Sequence, residues 1–128
     1  MKFLARSSSD SKKQAICSQI ESIFNLAKVD NFEVSGEYPG WSPNATAPIL
    51  KTMETIFEKQ RGHKPHVSVV HAGLECGIIM SNVPEISDAV SFGPTIKFPH
   101  SPDEKVEIAT VQKFWDFLTD VLKQAPNN

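Results

Sequence analysis

The chain has 128 residues, of which 40% are hydrophobic and 22% are charged, and its formal net charge at pH 7 is −2. These values are ordinary for a soluble globular protein with one domain or two small lobes. The weak negative charge leaves no basic footprint for nucleic acid. No apolar run approaches the roughly 18 residues that a membrane helix requires, and the N-terminus lacks the apolar region of a signal peptide. The two cysteines are far apart in sequence, so no disulfide framework is expected and the cytoplasm is the predicted compartment.

The first 37 residues have the pattern of a β-α-β unit. Residues 2–6 form a short strand candidate, and the serines and aspartate of residues 7–10 offer oxygen atoms that can cap a helix. A single apolar stripe then recurs at helical spacing, and its members are Ala15, Ile16, Ile20, Ile23, Phe24 and Ala27. Residues 31–35 alternate between apolar and polar side chains, which predicts a second strand with one wet face.

A run rich in residues that break helices and strands follows at residues 38–48. Pro39, Gly40, Pro43 and Pro48 lie close together in this run, with a tryptophan among them. So many breakers forbid regular structure. The run is therefore predicted to be a linker or hinge between two lobes, with its tryptophan packed on one of them.

Residues 49–128 alternate predicted helices with predicted strands. A second amphipathic helix ends at Gly62, and its apolar members are Ile49, Leu50, Met53, Ile56 and Phe57. Residues 67–70 and 88–92 have the composition of buried strands, with a short helix over residues 74–80 between them. The last helix has an apolar face made of Val111, Phe114, Trp115, Leu118, Val121 and Leu122. The alternation predicts the α/β fold class.

The stretch from His71 to Glu104 contains most of the residues that could carry chemistry. It opens with the motif His71-Ala72-Gly73-Leu74-Glu75-Cys76-Gly77 and closes with Phe98-Pro99-His100-Ser101-Pro102-Asp103-Glu104. Strands that end in glycine and polar residues commonly build sites in α/β proteins, because strand ends aim side chains into one crevice. The glycines of the first motif either let the backbone approach a ligand closely or only permit a tight turn.

Three side chains are candidates, and each has a purely structural alternative. Arg6, at the end of the first predicted strand, either binds a carboxylate through two parallel hydrogen bonds or is an exposed arginine without a role. Glu75 binds a substrate amine or a metal, or is a first-turn acid favoured by the helix dipole. His100 is a ligand in a loop stiffened by two prolines, or a loop histidine without a role. Residues 101–104 also match a capping box, which would make them only the start of a turn.

The sequence resembles the C-terminal motifs of bacterial aminoacyl-histidine dipeptidases at residues 71–77, at Ser91-Phe92-Gly93-Pro94-Thr95 and at residues 98–104. These are the Xaa-His dipeptidases, relatives of carnosinase and peptidase T. The similarity extends through Arg6-Ser7-Ser8, Tyr38-Pro39-Gly40-Trp41 and Lys113-Phe114-Trp115-Asp116-Phe117-Leu118. It covers nearly the whole chain in order, which makes it far more specific than a single short motif.

The resemblance implies the C-terminal portion of a two-domain metallopeptidase that binds two zinc ions and hydrolyses Xaa-His dipeptides such as carnosine. In that family an inserted lid domain splits the catalytic domain in sequence. Residues 1–37 would be the β-α-β end of the lid domain, and residues 38–48 the hinge. Residues 49–128 would be the C-terminal α/β segment of the catalytic domain.

The resemblance also implies roles for individual residues. His100 corresponds to the family's last metal ligand, and Arg6 to the lid arginine that clamps the substrate's C-terminal carboxylate. Gly73, Leu74 and Glu75 correspond to the loop that lines the substrate site. The resemblance supplies no catalytic residue here, because nothing in the chain matches the family's other metal ligands or its catalytic glutamate.

Two hypotheses from different classes follow. In the first, the chain is the C-terminal fragment of a zinc dipeptidase, inactive alone, that needs the missing N-terminal half of the catalytic domain. Its uncovered surfaces would then favour a homodimer. In the alternative, the chain is a stand-alone, non-catalytic module of the same fold that binds peptides or a partner chain. A reading frame that continues upstream of Met1 with histidine and carboxylate motifs would favour the first hypothesis.

Overall fold

The computed structural model describes residues 2–70 and 75–125. This part of the chain contains four α-helices and one two-stranded antiparallel sheet. In chain order the elements are α1 (Asp10–Leu26), α2 (Pro48–Arg61), α3 (Glu75–Asn82), β1 (Ile96–Lys97), β2 (Lys105–Val106) and α4 (Ile108–Gln124). No helix among these residues is both long and apolar enough to cross a membrane.

The described residues fall into two compact units. The first unit combines the segment up to Asn44 with residues 68–87, and the second combines residues 45–67 with the segment from Asp88 onward. The boundary after Asn44 lies inside the predicted hinge, whereas residues 68–87 return to the first unit. The assignment of residues 1–37 to a lid domain and of residues 49–128 to a catalytic domain stays a prediction.

The first unit contains α1, whose C-terminal half packs against aromatic rings. Phe24 lies between Phe3 and Phe32, and its ring centroid is 5.5 Å from each of theirs. The helix has no fully buried residue, and Leu26 in its last turn is 85% exposed. The predicted helix is therefore present, but its apolar stripe is only partly covered.

The second unit is held together by α2 and α4, whose apolar faces pack against each other. Its core consists of Met53, Ile56, Phe117 and Val121. The ring of Phe117 meets Phe57 edge-on at a centroid distance of 5.7 Å and Phe92 at 5.3 Å. Edge-on aromatic pairs add about 0.5–1.5 kcal/mol beyond the burial of their area. Both predicted amphipathic helices are confirmed.

The ends of α2 follow from its sequence. Pro48 occupies its first turn, where the missing N–H of proline is not needed. Gly62 ends the helix in the left-handed conformation, with φ of 74°, and its N–H donates to the carbonyl of Glu58 at 2.8 Å. Near this end, Gln60 Nε2 donates to Asp120 Oδ2 at 2.8 Å and ties α2 to α4.

The predicted strands are the main correction to the sequence analysis. In the described part of the chain, no strand forms at residues 2–6, 31–35, 67–70 or 88–92. The valines of residues 67–70 are 50%, 51% and 52% exposed. A strand forms only where a neighbouring strand takes up its backbone hydrogen bonds, and a β-branched sequence cannot supply that neighbour. The expected β-α-β unit and α/β alternation are therefore replaced by a mainly helical structure with a small antiparallel sheet.

The sheet forms where the sequence indicated a loop. β1 and β2 pair with Ile96 opposite Val106 and Lys97 opposite Lys105. Thr95 extends this hairpin, because its carbonyl accepts the N–H of Glu107 at 2.9 Å. The hairpin therefore presents residues 98–104 at its tip and leads directly into α4.

Within the described residues, α4 carries a second apolar stripe that remains exposed. Its members and their exposed fractions are Ile108 (83%), Val111 (43%), Trp115 (57%) and Leu122 (66%). At 100° per residue these positions share one side of the helix, centred about 130° from the side that carries Phe117 and Val121. The apolar surface of α4 is thus wider than the part that α2 covers.

Candidate functional site

His100 lies at the tip of the β1–β2 hairpin with its backbone in the left-handed region. Its φ is 63°, and Phe98, two residues earlier, has a φ of 54°. Residues other than glycine keep such values only where their surroundings enforce them. Lys105 Nζ lies 5.4 Å from the centroid of the Phe98 ring, and this cation–π contact helps to hold the start of the loop.

Hydrogen bonds within the loop hold the backbone around His100. The N–H of His100 donates to Glu104 Oε2 at 2.5 Å. The hydroxyl of Ser101 donates to the carbonyl of Phe98 at 2.8 Å, and the N–H of Asp103 donates to Ser101 Oγ at 3.2 Å. The predicted capping box therefore forms a turn that leads into β2 instead of starting a helix. His100 itself remains exposed, so its side chain projects from a backbone that is fixed.

The described residues meet one requirement of a zinc site but not all of them. Imidazole nitrogens are common zinc ligands, and His100 offers an imidazole on a fixed loop. A catalytic zinc usually has about three protein ligands. Among residues 2–70 and 75–125 there is no group of three His, Cys, Asp or Glu side chains that could hold a metal ion. Within this part of the chain, no zinc site with three protein ligands can therefore form around His100.

The other candidate residues lie in the first unit or outside the described residues. Arg6 is exposed, three residues before the N-cap of α1. Glu75 is exposed and is the first residue of α3, which agrees with its structural alternative as a first-turn acid. Gly73 and Leu74, which complete the predicted substrate loop, lie outside the described residues, as does His71. Their roles stay predictions.

Gly40 is in close contact with the segment that follows Arg6. Its N–H donates to Asp10 Oδ1 at 2.8 Å. A Cβ atom on Gly40 would lie 2.6 Å from the carbonyl oxygen of Ser8, so no other residue fits without moving the backbone. The hydroxyl of Ser42 donates to the same carbonyl at 3.1 Å. Residues 38–42 are thus attached to the N-terminal end of α1.

The same loop also touches α3. A Cβ atom on Gly77 would lie 3.3 Å from the carbonyl oxygen of Pro39 and 3.4 Å from Trp41 Cβ. Gly77 is the buried residue of α3 and follows Glu75 by two positions. Three motifs of the family resemblance, at residues 6–8, 38–41 and 71–77, therefore meet within the first unit.

Asp10 and Lys13 complete this contact; from the sequence, Asp10 was expected only as one of several possible caps of α1, and Lys13 was not expected to have a role. Lys13 Nζ donates to Asp10 Oδ1 at 2.9 Å and also to the carbonyl of Tyr38. The hydrogen bond from Lys13, followed by that from the Gly40 N–H, lowers the pKa of Asp10. In the sequence, an acid followed three residues later by a lysine indicates only a salt bridge on the surface of a helix. Nothing in that spacing indicates the contact with residues 38–42.

The chain is similar in sequence and structure to bacterial dipeptidases. It is 42% identical over 123 residues to the cytosol non-specific dipeptidase of Escherichia coli (strain K12). It superposes with a TM-score of 0.78 and 47% identity on the crystal structure of aminoacylhistidine dipeptidase from Vibrio alginolyticus. No family model matches the chain. The resemblance to aminoacyl-histidine dipeptidases inferred from the motifs is therefore confirmed.

These similarities cover almost all of this chain but only part of each relative. The match spans 96% of this chain and 25% of the Escherichia coli protein, and 95% of this chain and 24% of the Vibrio alginolyticus chain. The chain thus corresponds to about a quarter of the length of the relatives that it matches.

Proposed function

We propose that this chain is the C-terminal part of a zinc-dependent dipeptidase that hydrolyses Xaa-His dipeptides. The observation that carries the proposal is the match along 95% of the chain at 47% identity and a TM-score of 0.78 to an aminoacylhistidine dipeptidase. Because the chain corresponds to about a quarter of that protein, the remaining metal ligands and the catalytic glutamate would come from an N-terminal half outside this sequence. The chain alone would then be inactive.

In this proposal, the residues of the chain bind and orient rather than catalyse. Arg6 holds the C-terminal carboxylate of the dipeptide, since a guanidinium forks onto a carboxylate through two parallel hydrogen bonds. Gly73, Leu74 and Glu75 line the substrate site. His100 donates one imidazole nitrogen to one of two zinc ions, which supply water activation and carbonyl polarisation when bound.

The proposal extends to the organisation of the protein. Residues 1–37 end a lid domain, residues 38–48 are the hinge, and residues 49–128 end the catalytic domain. The protein would be cytoplasmic and dimeric, with the exposed stripe of α4 among the surfaces that other polypeptide covers. The high identity to two dipeptidases favours this function over a stand-alone binding module.

A chimeric enzyme tests the proposed function directly. The matched C-terminal quarter of the Escherichia coli dipeptidase would be replaced by this chain, and hydrolysis of carnosine and other Xaa-His dipeptides would be measured. Hydrolysis that depends on both the graft and zinc supports the proposal. A correctly folded chimera that binds dipeptides without cleaving any of them would favour the non-catalytic module.

A further inference from the structure

We infer that Asp10 and Gly40 are positioning residues that hold Arg6 where it binds the carboxylate of the substrate. The inference rests on the proposed function of Arg6 and adds the contacts that place it. Arg6 is exposed, so its direction depends on the backbone that follows it. That backbone is attached to the loop of residues 38–42.

The attachment has three separate contacts close to Arg6. The carbonyl of Ser8 accepts the Ser42 hydroxyl at 3.1 Å and lies where a Cβ on Gly40 would be only 2.6 Å away. Asp10 Oδ1 accepts the Gly40 N–H at 2.8 Å. Since Ser8 is two residues from Arg6, displacement of this carbonyl moves the base of the arginine side chain.

The contact also couples Arg6 to the predicted substrate loop. Pro39 and Trp41, on either side of Gly40, lie against Gly77 in α3. Glu75 is in the first turn of the same helix. Residues 38–42 therefore contact Ser8 and Gly77, which lie two positions from Arg6 and from Glu75. This arrangement suits a spacer that sets the separation of the two segments. A displacement of about 1 Å in such a contact can reduce kcat/KM by up to about a hundredfold.

Gly40→Ala is the first test, because the added methyl group must push Ser8 away. In the complete enzyme we expect KM to rise about tenfold for dipeptides with a free carboxylate, less than for complete loss of a charged bidentate contact. The expected change in kcat is small. Gly36→Asn is the control, because a Cβ there meets nothing within 4 Å and its φ of 69° is one that asparagine tolerates.

A double-mutant cycle separates positioning from a general loss of structure. If Gly40 acts through Arg6, then Gly40→Ala should not raise KM further in an Arg6→Ala background. C-amidated dipeptides should show a much smaller effect of either substitution. An equal rise in KM with and without Arg6, or on amidated substrates, would overturn the inference.

Asp10 provides a second test if Gly40→Ala does not fold. Asp10→Ala removes the acceptor of the Gly40 N–H and should raise KM about as much, whereas Asp10→Asn keeps an acceptor oxygen and should restore most of the affinity. Asp120→Asn is the matched control, since Asp120 also pairs with a lysine three residues later, at 3.2 Å, but lies in the second unit. A rise in KM with Asp10→Asn equal to that with Asp10→Ala would contradict the role of the hydrogen bond to Gly40.

A measurement on this chain alone distinguishes failure of the inference from failure of the proposed function. The chain has two tryptophans, so Trp115→Phe leaves Trp41 as the only tryptophan, which excitation at about 295 nm selects over tyrosine. Gly40→Ala should shift its emission and Gly36→Asn should not. A shift in emission with no change in KM would show that the contact exists but does not position Arg6, which would disprove the inference. An enzyme that cleaves no dipeptide would disprove the proposed function, and the positioning role with it.

Discussion

At the scale of residues, the tip of the β1–β2 hairpin combines an uncommon backbone with side chains that hold it. His100 and Phe98 both have positive φ, and each such residue costs of the order of 1–3 kcal/mol. The carboxylate of Glu104 accepts the His100 N–H at 2.5 Å, and hydrogen bonds to charged groups are stronger than neutral ones. A fixed backbone is useful where an imidazole must stay in place for a ligand.

Arg6→Ala in the complete enzyme should raise KM for dipeptides with a free C-terminal carboxylate. A charged bidentate contact contributes about 1.5–3 kcal/mol, which corresponds to about ten- to a hundredfold. Steady-state kinetics with free and C-amidated dipeptides checks this, and the amidated substrates should show a much smaller effect. Equal losses on the two substrate types would rule out a carboxylate clamp.

His100→Ala in the complete enzyme should remove most of the activity and lower the zinc content. The reason is that an open metal site loses a ligand and with it water activation and carbonyl polarisation. Metal analysis of the purified protein and a dipeptide assay measure the two effects. His66→Ala is the matched control, because His66 is also exposed and has no proposed role. Full zinc content in the His100 variant would refute its assignment as a ligand.

At the scale of elements, the α2–α4 pair carries the best-packed part of the second unit. Phe117 is 8% exposed and Val121 5% exposed, whereas the adjacent Leu122 is 66% exposed. The same helix thus presents one apolar face that is packed and another that is not. Stability should accordingly depend on which face a substitution alters.

Phe117→Ala should reduce the free energy of unfolding by about 3 kcal/mol, near the low end for buried phenylalanines because this core is small. Leu122→Ala, in the same helix, should change it by less than about 0.5 kcal/mol. Urea denaturation followed by circular dichroism gives both values. Similar losses for the two variants would mean that the exposed face of α4 is covered in solution.

Asp120 should make the stability of the α2–α4 pair depend on acid pH. The pKa of the Asp120 carboxyl lies below its usual value of 3.8. The main cause is the hydrogen bond that it accepts from Gln60, and the second is the hydrogen bond from Lys123. A folded pKa below the unfolded one stabilises the fold above pH 3.8, and this contribution is lost as pH falls through the folded pKa. Asp120→Asn should flatten the decline in the free energy of unfolding below about pH 4. Unfolding curves measured between pH 6 and pH 2.5 test this, and an unchanged decline would contradict it.

At the scale of the whole molecule, many large apolar side chains of the described residues are exposed. The uncovered stripe of α4 and the exposed valines of residues 67–70 are the main examples. Exposed apolar side chains of this kind are expected where a chain contacts other polypeptide. This agrees with a chain that corresponds to about a quarter of its relatives.

The 128 residues alone should bind zinc weakly or not at all and should not hydrolyse carnosine or other Xaa-His dipeptides. One imidazole is too few for a catalytic zinc, which needs about three protein ligands. Isothermal titration with zinc and a dipeptide assay provide the measurement, with the chimeric enzyme as the positive control. Stoichiometric tight zinc binding together with robust turnover would mean that the chain carries a complete site.

The main helices and the resemblance to dipeptidases could be inferred from the sequence by itself. Helical spacing is a local property, so the apolar stripes around Phe24, Met53 and Phe117 predicted α1, α2 and α4 correctly. The ordered motifs likewise indicated the dipeptidase relatives and singled out Arg6 and His100 as candidates. Hydrogen-bonded neighbours are not local, and for that reason the strands expected at residues 2–6, 31–35, 67–70 and 88–92 were wrong.

Only the tertiary structure decided how the candidate residues are held. Asp10 and Gly40 are 30 positions apart in sequence, and Ser8 and Ser42 are 34 apart. No spacing rule links such pairs, because their contact depends on how α1 and the loop of residues 38–42 pack. The left-handed backbone at His100 likewise could not be read from local spacing. It occurs together with the hydrogen bond to the Glu104 side chain and the pairing of β1 with β2. Local sequence determines which elements can form, whereas long-range contacts determine which side chains those elements bring together.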